Sequence, residues 1–195
     1  MPPSRRADRR ADPEAARAPR RAACRRHPRR AHPGRRYRAS VIPALFAAVA
    51  LGVPCDGSAL RGSFSVVPGS AGAGNIVYRL RLVNRSSTAC WLSGQPRVEL
   101  LDATGRKLPT APHPQRPGVG TAALITLAPG KAASASARFS PDVPGTGEPV
   151  GRRCEPKAYR LRVRPNGNGS VVVRIVPPTS VCEHGSLALS LWQHA

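Results

Sequence analysis

Ile76 to Val83 reads IVYRLRLV. In an extended chain Ile76, Tyr78, Leu80 and Leu82 fall on one side and Arg79 and Arg81 on the other, a period of two that a helix cannot present as a single buried face. Tyr159 to Arg164 repeats the pattern, with Tyr159, Leu161 and Val163 opposed to Arg160, Arg162 and Arg164. Shorter or weaker runs at Leu60 to Val67, Arg97 to Leu101, Ala122 to Leu127, Ala133 to Phe139, Val171 to Val176 and Ser186 to Leu191 complete a set of about eight predicted strands. Turn formers separate them at short intervals: Pro68-Gly69, Gly72 to Asn75, Asn84 to Ser87, Asp102 to Gly105, Pro129-Gly130 and Asn166 to Gly169. Many short strands, frequent turns and no crossover helices predict an all-β, antiparallel, immunoglobulin-like sandwich. Pro109 to Gly120 and Pro141 to Gly151 are expected to be surface loops.

Outward from this region, the 195-residue chain has room for one domain and a leader. Its formal charge of +21 resembles a nucleic-acid binder's until it is divided along the chain. Residues 1–40 carry 14 Arg against Asp8, Asp12 and Glu14, a net +11, and residues 51–195 carry 17 Lys and Arg against 7 acids, a net +10. The first 40 residues are runs of Arg, Ala and Pro with almost nothing apolar to bury, so they are expected to be a disordered leader. Residues 41–54 are expected to hold a signal-peptide hydrophobic region and cleavage site. The apolar run Val41 to Val53 is 13 residues long, too short for a membrane span of about 20, and Arg35, Arg36 and Arg38 precede it. Ala48-Val49-Ala50 supplies an A-x-A cleavage site, so the mature chain is expected to begin near Leu51. Two alternatives stay open: Arg35-Arg36 as a twin-arginine address, and lipid attachment at Cys55, against which Pro54 stands where a small residue is wanted. The remaining residues, 55–195, are assigned to one disulfide-stapled domain, secreted or held at the extracytoplasmic surface, with no membrane span in the mature chain.

Cys24 lies in the leader, which leaves Cys55, Cys90, Cys154 and Cys182, an even number suited to an oxidising compartment. A hairpin centred on Ala71 and Gly72 sets Cys55 opposite Thr88, two residues from Cys90, and one centred on Gly167 and Asn168 sets Cys154 opposite Val181, beside Cys182. The expected pairs are therefore Cys55 with Cys90 and Cys154 with Cys182. The core needs them, because aromatics are only 4% of residues and the inward side of Ala133 to Phe139 is mostly alanine.

The order of these features resembles the family known as domain of unknown function 4232, a group of actinobacterial exported domains. The matching residues are the early Cys55, then LVNRSSTACWLSGQP (Leu82 to Pro96), VELLDATGRKL (Val98 to Leu108), ITLAPGKAA (Ile125 to Ala133), Cys154 ahead of a strand, and Cys182 near the end. The resemblance spans roughly Cys55 to Leu191. It implies an exported immunoglobulin-like sandwich, often lipid-anchored or attached to a larger cell-surface chain, and brings no reaction, substrate or site residues. The segment before Cys55 departs from the usual lipoprotein residues, and Gln95 stands where an aromatic residue is common.

Catalysis by a nucleophile and base, or by two carboxylates across a cleft, requires groups that can meet. The mature chain has His113, His184 and His194 and the acids Asp56, Glu99, Asp102, Asp142, Glu148, Glu155 and Glu183, scattered over turns and cysteine neighbours. His113 is expected in a loop, and Asp102 is expected to form a turn before Gly105. With no phosphate loop, nucleophile elbow or metal-binding motif, no catalytic, cofactor or metal residues are assigned, and the expectation is a non-catalytic domain of unknown ligand, with an uncharacterised enzyme as an alternative. Arg79, Arg81, Arg160, Arg162, Arg164 and Arg174 alternate with core residues. If the two hairpins share a sheet, these arginines form one basic face, the candidate binding surface for an anionic cell-envelope polymer or lipid. A solubilising role for the same arginines is the competing reading. No aromatics interleave them as stacking on single-stranded nucleic acid requires, so no specific nucleic-acid motif is present. Trp91, next to Cys90, is placed to cover a disulfide. Asn84-Arg85-Ser86 and Asn168-Gly169-Ser170 match the glycosylation sequon, but turn chemistry accounts for them.

Overall fold

The structure, a computed structural model, describes residues 52–118 and 122–195. The leader, most of the signal-peptide region and the expected cleavage site lie outside the described residues. The strands are β1 (Val53–Pro54), β2 (Leu60–Val66), β3 (Ile76–Asn84), β4 (Cys90–Ser93), β5 (Arg97–Leu101), β6 (Ala111–Pro114), β7 (Leu124–Leu127), β8 (Ala132–Phe139), β9 (Ala158–Arg164), β10 (Val171–Thr179), β11 (Ser186–Leu189) and β12 (Gln193–His194). All eight expected strands are present, and the fold is all-β and sandwich-like. A small sheet has the order β1-β4-β7, and a large, strongly wrapped one runs β5-β9-β10-β2-β3-β8-β11-β6, with β12 also on β8. Among the described residues no helix is long and apolar enough to cross a membrane.

The sheets are mixed rather than purely antiparallel, because β1 with β4, β2 with β10 and β6 with β11 run parallel. Parallel partners are far apart in sequence, so no hairpin turn announces them. Nor is Pro109 to Gly120 wholly a loop, since it contains β6 and places His113 on an edge strand. Its prolines, Pro112 and Pro114, alternate. The missing N–H groups therefore fall on the outer side, while Ala111 and His113 face β11, and the edge is blunted without weakening its one ladder.

Both hairpin registers sit one residue from the expected ones. Leu60 faces Asn84 and Phe64 faces Leu80, because the tight turn is at Ala73-Gly74, with φ of 49° and 72°, rather than at Ala71-Gly72. Ser70 Oγ holds the slack, donating to the Val77 carbonyl and accepting from the Val77 N–H, both at 3.1 Å. Val171 faces Val163, and a bulge between Arg174 and Thr179 then brings Ala158 opposite Thr179. That bulge buries Ala158 completely and leaves Tyr159, expected inside, 41% exposed.

The core is built from unequal partners across β3 and β8. Tyr78 faces Ala137, Leu80 faces Ala135 and Leu82 faces Ala133, so each small side chain makes room for a large one. Tyr78 packs between Phe64 and Phe139 with ring centroids 5.1 and 5.2 Å away, and its hydroxyl donates to the Pro177 carbonyl at 2.9 Å. Cys55 is bonded to Cys90 and Cys154 to Cys182. The first bond links the parallel pair β1 and β4, where Val53 faces Cys90, and not the open end of an antiparallel hairpin. Trp91 is half-buried and Trp192 is 5% exposed.

Candidate functional site

The arginine-bearing strands share one sheet. Strand β2 joins β10 to β3, so the β9-β10 and β2-β3 hairpins lie side by side. Ile175 pairs with Phe64, both buried, which turns their neighbours Arg174 and Ser63 to the opposite, outer face. Arg160 faces Arg174 across β9 and β10, while Arg81 faces Ser63 and Ser134 and Arg79 faces Ser65 and Ser136. Arg79, Arg81, Arg160 and Arg174 are exposed, and no carboxylate lies within salt-bridge distance of them among the described residues. The direct Arg160-Arg174 pairing places like charges opposite each other, an arrangement that costs stability.

Arg162 and Arg164 are different. Glu99 on β5 accepts from Arg162 at 2.8 Å and from Arg164 at 3.1 Å, and from Lys107 at 3.1 Å. The Arg162 hydrogen bond, followed by that of Lys107, holds the Glu99 carboxyl below its ordinary pKa. Arg97 faces Arg164 and donates to the Pro165 carbonyl. Arg97, Arg162, Arg164 and the turn Gly167 to Ser170 line a hollow of about 590 Å³ at this end of the face. Arg97, Lys107, Arg162 and Arg164 stand against two carboxylates here, Glu99 and Asp56, so the cations are in excess by two. The turn is anchored from beneath, with the Gly167 N–H donating to the Cys55 carbonyl at 3.0 Å and the Asn168 N–H to Asp56 Oδ1 at 2.6 Å. A Cβ at Gly167 would collide with Asp56 Oδ1, which is why glycine occupies the position.

Two of the remaining acids, Asp102 and Glu148, are engaged structurally. Asp102 Oδ1 accepts from the Thr104 N–H and hydroxyl and from the Arg106 N–H, forming the expected turn before Gly105 and holding its own pKa down. A second cluster has no sequence signature, since its members lie up to 36 residues apart. Glu183, His184 and Gly185 adopt successive left-handed conformations, with φ of 57°, 55° and 79°. That run is unfavourable for the first two. Their N–H groups converge on the buried Glu148 carboxylate, which also accepts from Gly145 at 2.7 Å. Glu148, Glu155 and His184 place one ligand atom each within 4.8 Å of one another. Glu148, however, already spends its oxygens on three backbone donors, so this is a clamp on the turn beside Cys182 rather than an open metal site.

Burial disfavours the charged Glu148, but the N–H donors of His184, Gly145 and Glu183 outweigh it and lower the pKa; burial and the Glu148 charge raise that of Glu155. A depressed folded-state pKa gives stability that is present above the unfolded value of 4.5 and lost as the pH falls through the folded value. Glu155, shifted upward, has the opposite sign and a higher window: its contribution improves as the pH falls through its raised value, before the loss at Glu148 sets in below 4.5. Urea unfolding followed from about pH 7 to about pH 3 is expected to show the midpoint falling on acidification. Glu148→Gln should be less stable at neutral pH and show a flatter acid limb; an unchanged limb would separate Glu148 from acid unfolding.

The fold and the site together define a small all-β domain stapled by two disulfides, with an arginine-bearing sheet face. The chain belongs to the family described as Domain of unknown function (DUF4232), whose model matches residues 55–193. No curated protein and no solved structure matches it.

Proposed function

We propose that the chain is an exported, non-catalytic recognition domain of the cell surface or secreted fraction that binds an anionic envelope polymer or lipid headgroup surface through the outer face of β9, β10, β2 and β3. The observation that carries this reading is the apposition of Arg160 with Arg174, in line with Arg81 and Arg79, on a face that holds serines and no acid to neutralise them. A face serving solubility alone has no need of like charges set directly opposite each other. The hollow beside Arg97 extends the positive field, with Glu99 as an internal counterion that a ligand anion would compete with. Support for a non-catalytic reading comes from the acids, since Asp56, Glu99, Asp102 and Glu148 are each held by structural partners. Two disulfides accord with an extracytoplasmic location.

Retention of the full chain on immobilised polyphosphate is the test. Retention should weaken steeply with salt, because each neutralised anion releases counterions. Combined substitution of Arg79, Arg81, Arg160 and Arg174 by Ser should flatten the salt slope by about one unit for each phosphate that is no longer neutralised. Retention that ignores salt, or that the fourfold variant keeps in full, would refute the proposal.

A further inference from the structure

A second concavity, of about 660 Å³, lies on the β8-β11-β6 part of the large sheet and borders the arginine strand β3, since Ser136 in its lining faces Arg79. Its size falls within the ~300–1,000 Å³ range of small-ligand sites. It exists because the chain leaves the β8 ladder after Leu189. Ser190 makes one last bond to the Ser136 carbonyl at 2.9 Å, Leu191 and Trp192 bow outward from the ladder, and β12 rejoins β8 at Gln193. The Trp192 N–H ties this bow to the Gly94 carbonyl, which brings Gln95 to the wall.

The chemistry of the lining is one-sided. Three carboxamides, Gln95, Gln115 and Gln193, converge with Arg116, and no carboxylate or aromatic ring lines the site among the described residues. Gln115 Oε1 is taken by the Ser136 hydroxyl at 3.2 Å, so that amide has its N–H groups left to offer. Ser190 Oγ is spent on the Leu191 carbonyl and on the Ser136 N–H. Most telling is Gln95 Nε2, a buried donor with no hydrogen-bond partner. An unsatisfied donor of this kind costs about 1–3 kcal/mol. Turning the carboxamide into the groove breaks no hydrogen bond, so an acceptor there recovers that cost. The surplus is thus of donors, joined by one exposed cation, Arg116, and by apolar wall from Pro114 and Leu191.

We infer that this groove binds the C-terminal end of a short peptide, with peptide carbonyls on the Gln95 and Gln193 amides, the terminal carboxylate on Arg116 and a small apolar side chain against Leu191. A saccharide is the poorer fit, because the groove has no aromatic ring to stack on and its one cation suits a carboxylate. The groove borders the arginine face at Arg79, but its binding rests on Gln95, Gln193 and Arg116, which the arginine reading does not use, so its failure would leave that reading standing.

The test is titration of the full, oxidised chain with N-acetyl-trialanine, its C-terminal amide and chitobiose, followed through side-chain amide NMR signals. The free-acid peptide should give saturable shifts at Gln95, Gln115 and Gln193. Affinity should fall about tenfold or more on amidation of the probe and in Arg116→Ala, the scale of a single charge-assisted hydrogen bond. Gln95→Leu should lose binding while its Tm stays level or rises, since the substitution removes an unpaired donor; a purely structural Gln95 would instead lower the Tm. Gln193→Ala, on the exposed side, gives a variant that does not disturb the interior. No saturable shift with the free acid at millimolar concentration, equal binding of the amide, or saturation by chitobiose in place of the peptide would each overturn the inference.

Discussion

Replacing both Cys55 and Cys90 by Ala should cost about 4 kcal/mol and, with a total domain stability of ~5–15 kcal/mol, leave the chain close to unfolding at elevated temperature. The bond spans 35 positions of sequence, and closing a loop of that length removes a large part of the unfolded chain's freedom. Its folded-state role is equally specific. Strand β1 has two residues, too few to hold itself on β4, and Cys55 extends the contact through an N–H bond to the Trp91 carbonyl at 3.0 Å. The Cys55 carbonyl and Asp56 in turn anchor Gly167 and Asn168 at the rim of the arginine hollow. Losing the sulfurs therefore removes the small sheet's first strand and loosens the turn that shapes the hollow. Equilibrium urea unfolding of the oxidised protein and the double variant checks this. A difference below about 1 kcal/mol would mean that β1 is held by something other than the bond.

What the sequence made legible follows from which contacts are local. The alternation in Ile76 to Val83 fixes a face because side chains in a strand alternate, and Tyr78, Leu80 and Leu82 are buried as that rule requires. Register is different. One additional residue in a turn shifts every pair, and the positions of the two hairpin turns depend on Ser70 and on the Asn168 hydrogen bond to Asp56, a residue 112 positions away. Tyr159 illustrates the consequence: its alternation predicted burial, and it lies exposed where β10 bulges between Arg174 and Thr179. Strands β1, β4, β6 and β12 escaped notice because two to four residues carry too little periodicity to read.

The candidate face was legible in kind but not in detail. That Arg79, Arg81, Arg160 and Arg174 point outward follows from alternation alone, whereas the pairing of Arg162 and Arg164 with Glu99 depends on β5 lying beside β9, a neighbour 63 and 65 residues distant. The Glu148 clamp and the Gln95 groove were invisible for the same reason, since each is assembled from loops and strand ends that only the folded chain brings together.

Asn84→Asp is expected to destabilise the domain by about 3 kcal/mol or more, lowering the Tm by roughly 10 °C. Asn84 is fully buried at the end of β3, and its carboxamide is saturated. Nδ2 donates to the carbonyls of Thr88 and Leu127 at 2.7 and 2.9 Å, and Oδ1 accepts from the N–H and hydroxyl of Ser86 at 3.0 and 2.7 Å. The same residue's backbone bonds Lys131 and Gly130. One side chain thus ties the loop before Cys90 to β7, in the small sheet, while its backbone holds the turn that leads into β8. Its commitment to these carbonyls also closes the first sequon, because a nitrogen so placed cannot carry a glycan. Asp keeps the shape and both acceptors but sets a carboxylate oxygen against two carbonyl oxygens, so repulsion replaces two hydrogen bonds in a site without water access. The introduced carboxyl should have a folded-state pKa above its unfolded value of about 3.9, so the penalty is largest above that raised pKa and shrinks as the pH falls through it. Protonation restores one donor of the two, and the defect should ease on acidification without vanishing. Thermal unfolding of the variant and the parent chain at neutral and acidic pH measures both parts. A Tm within a degree or two of the parent at neutral pH would show that the loop and β7 are held together without this residue.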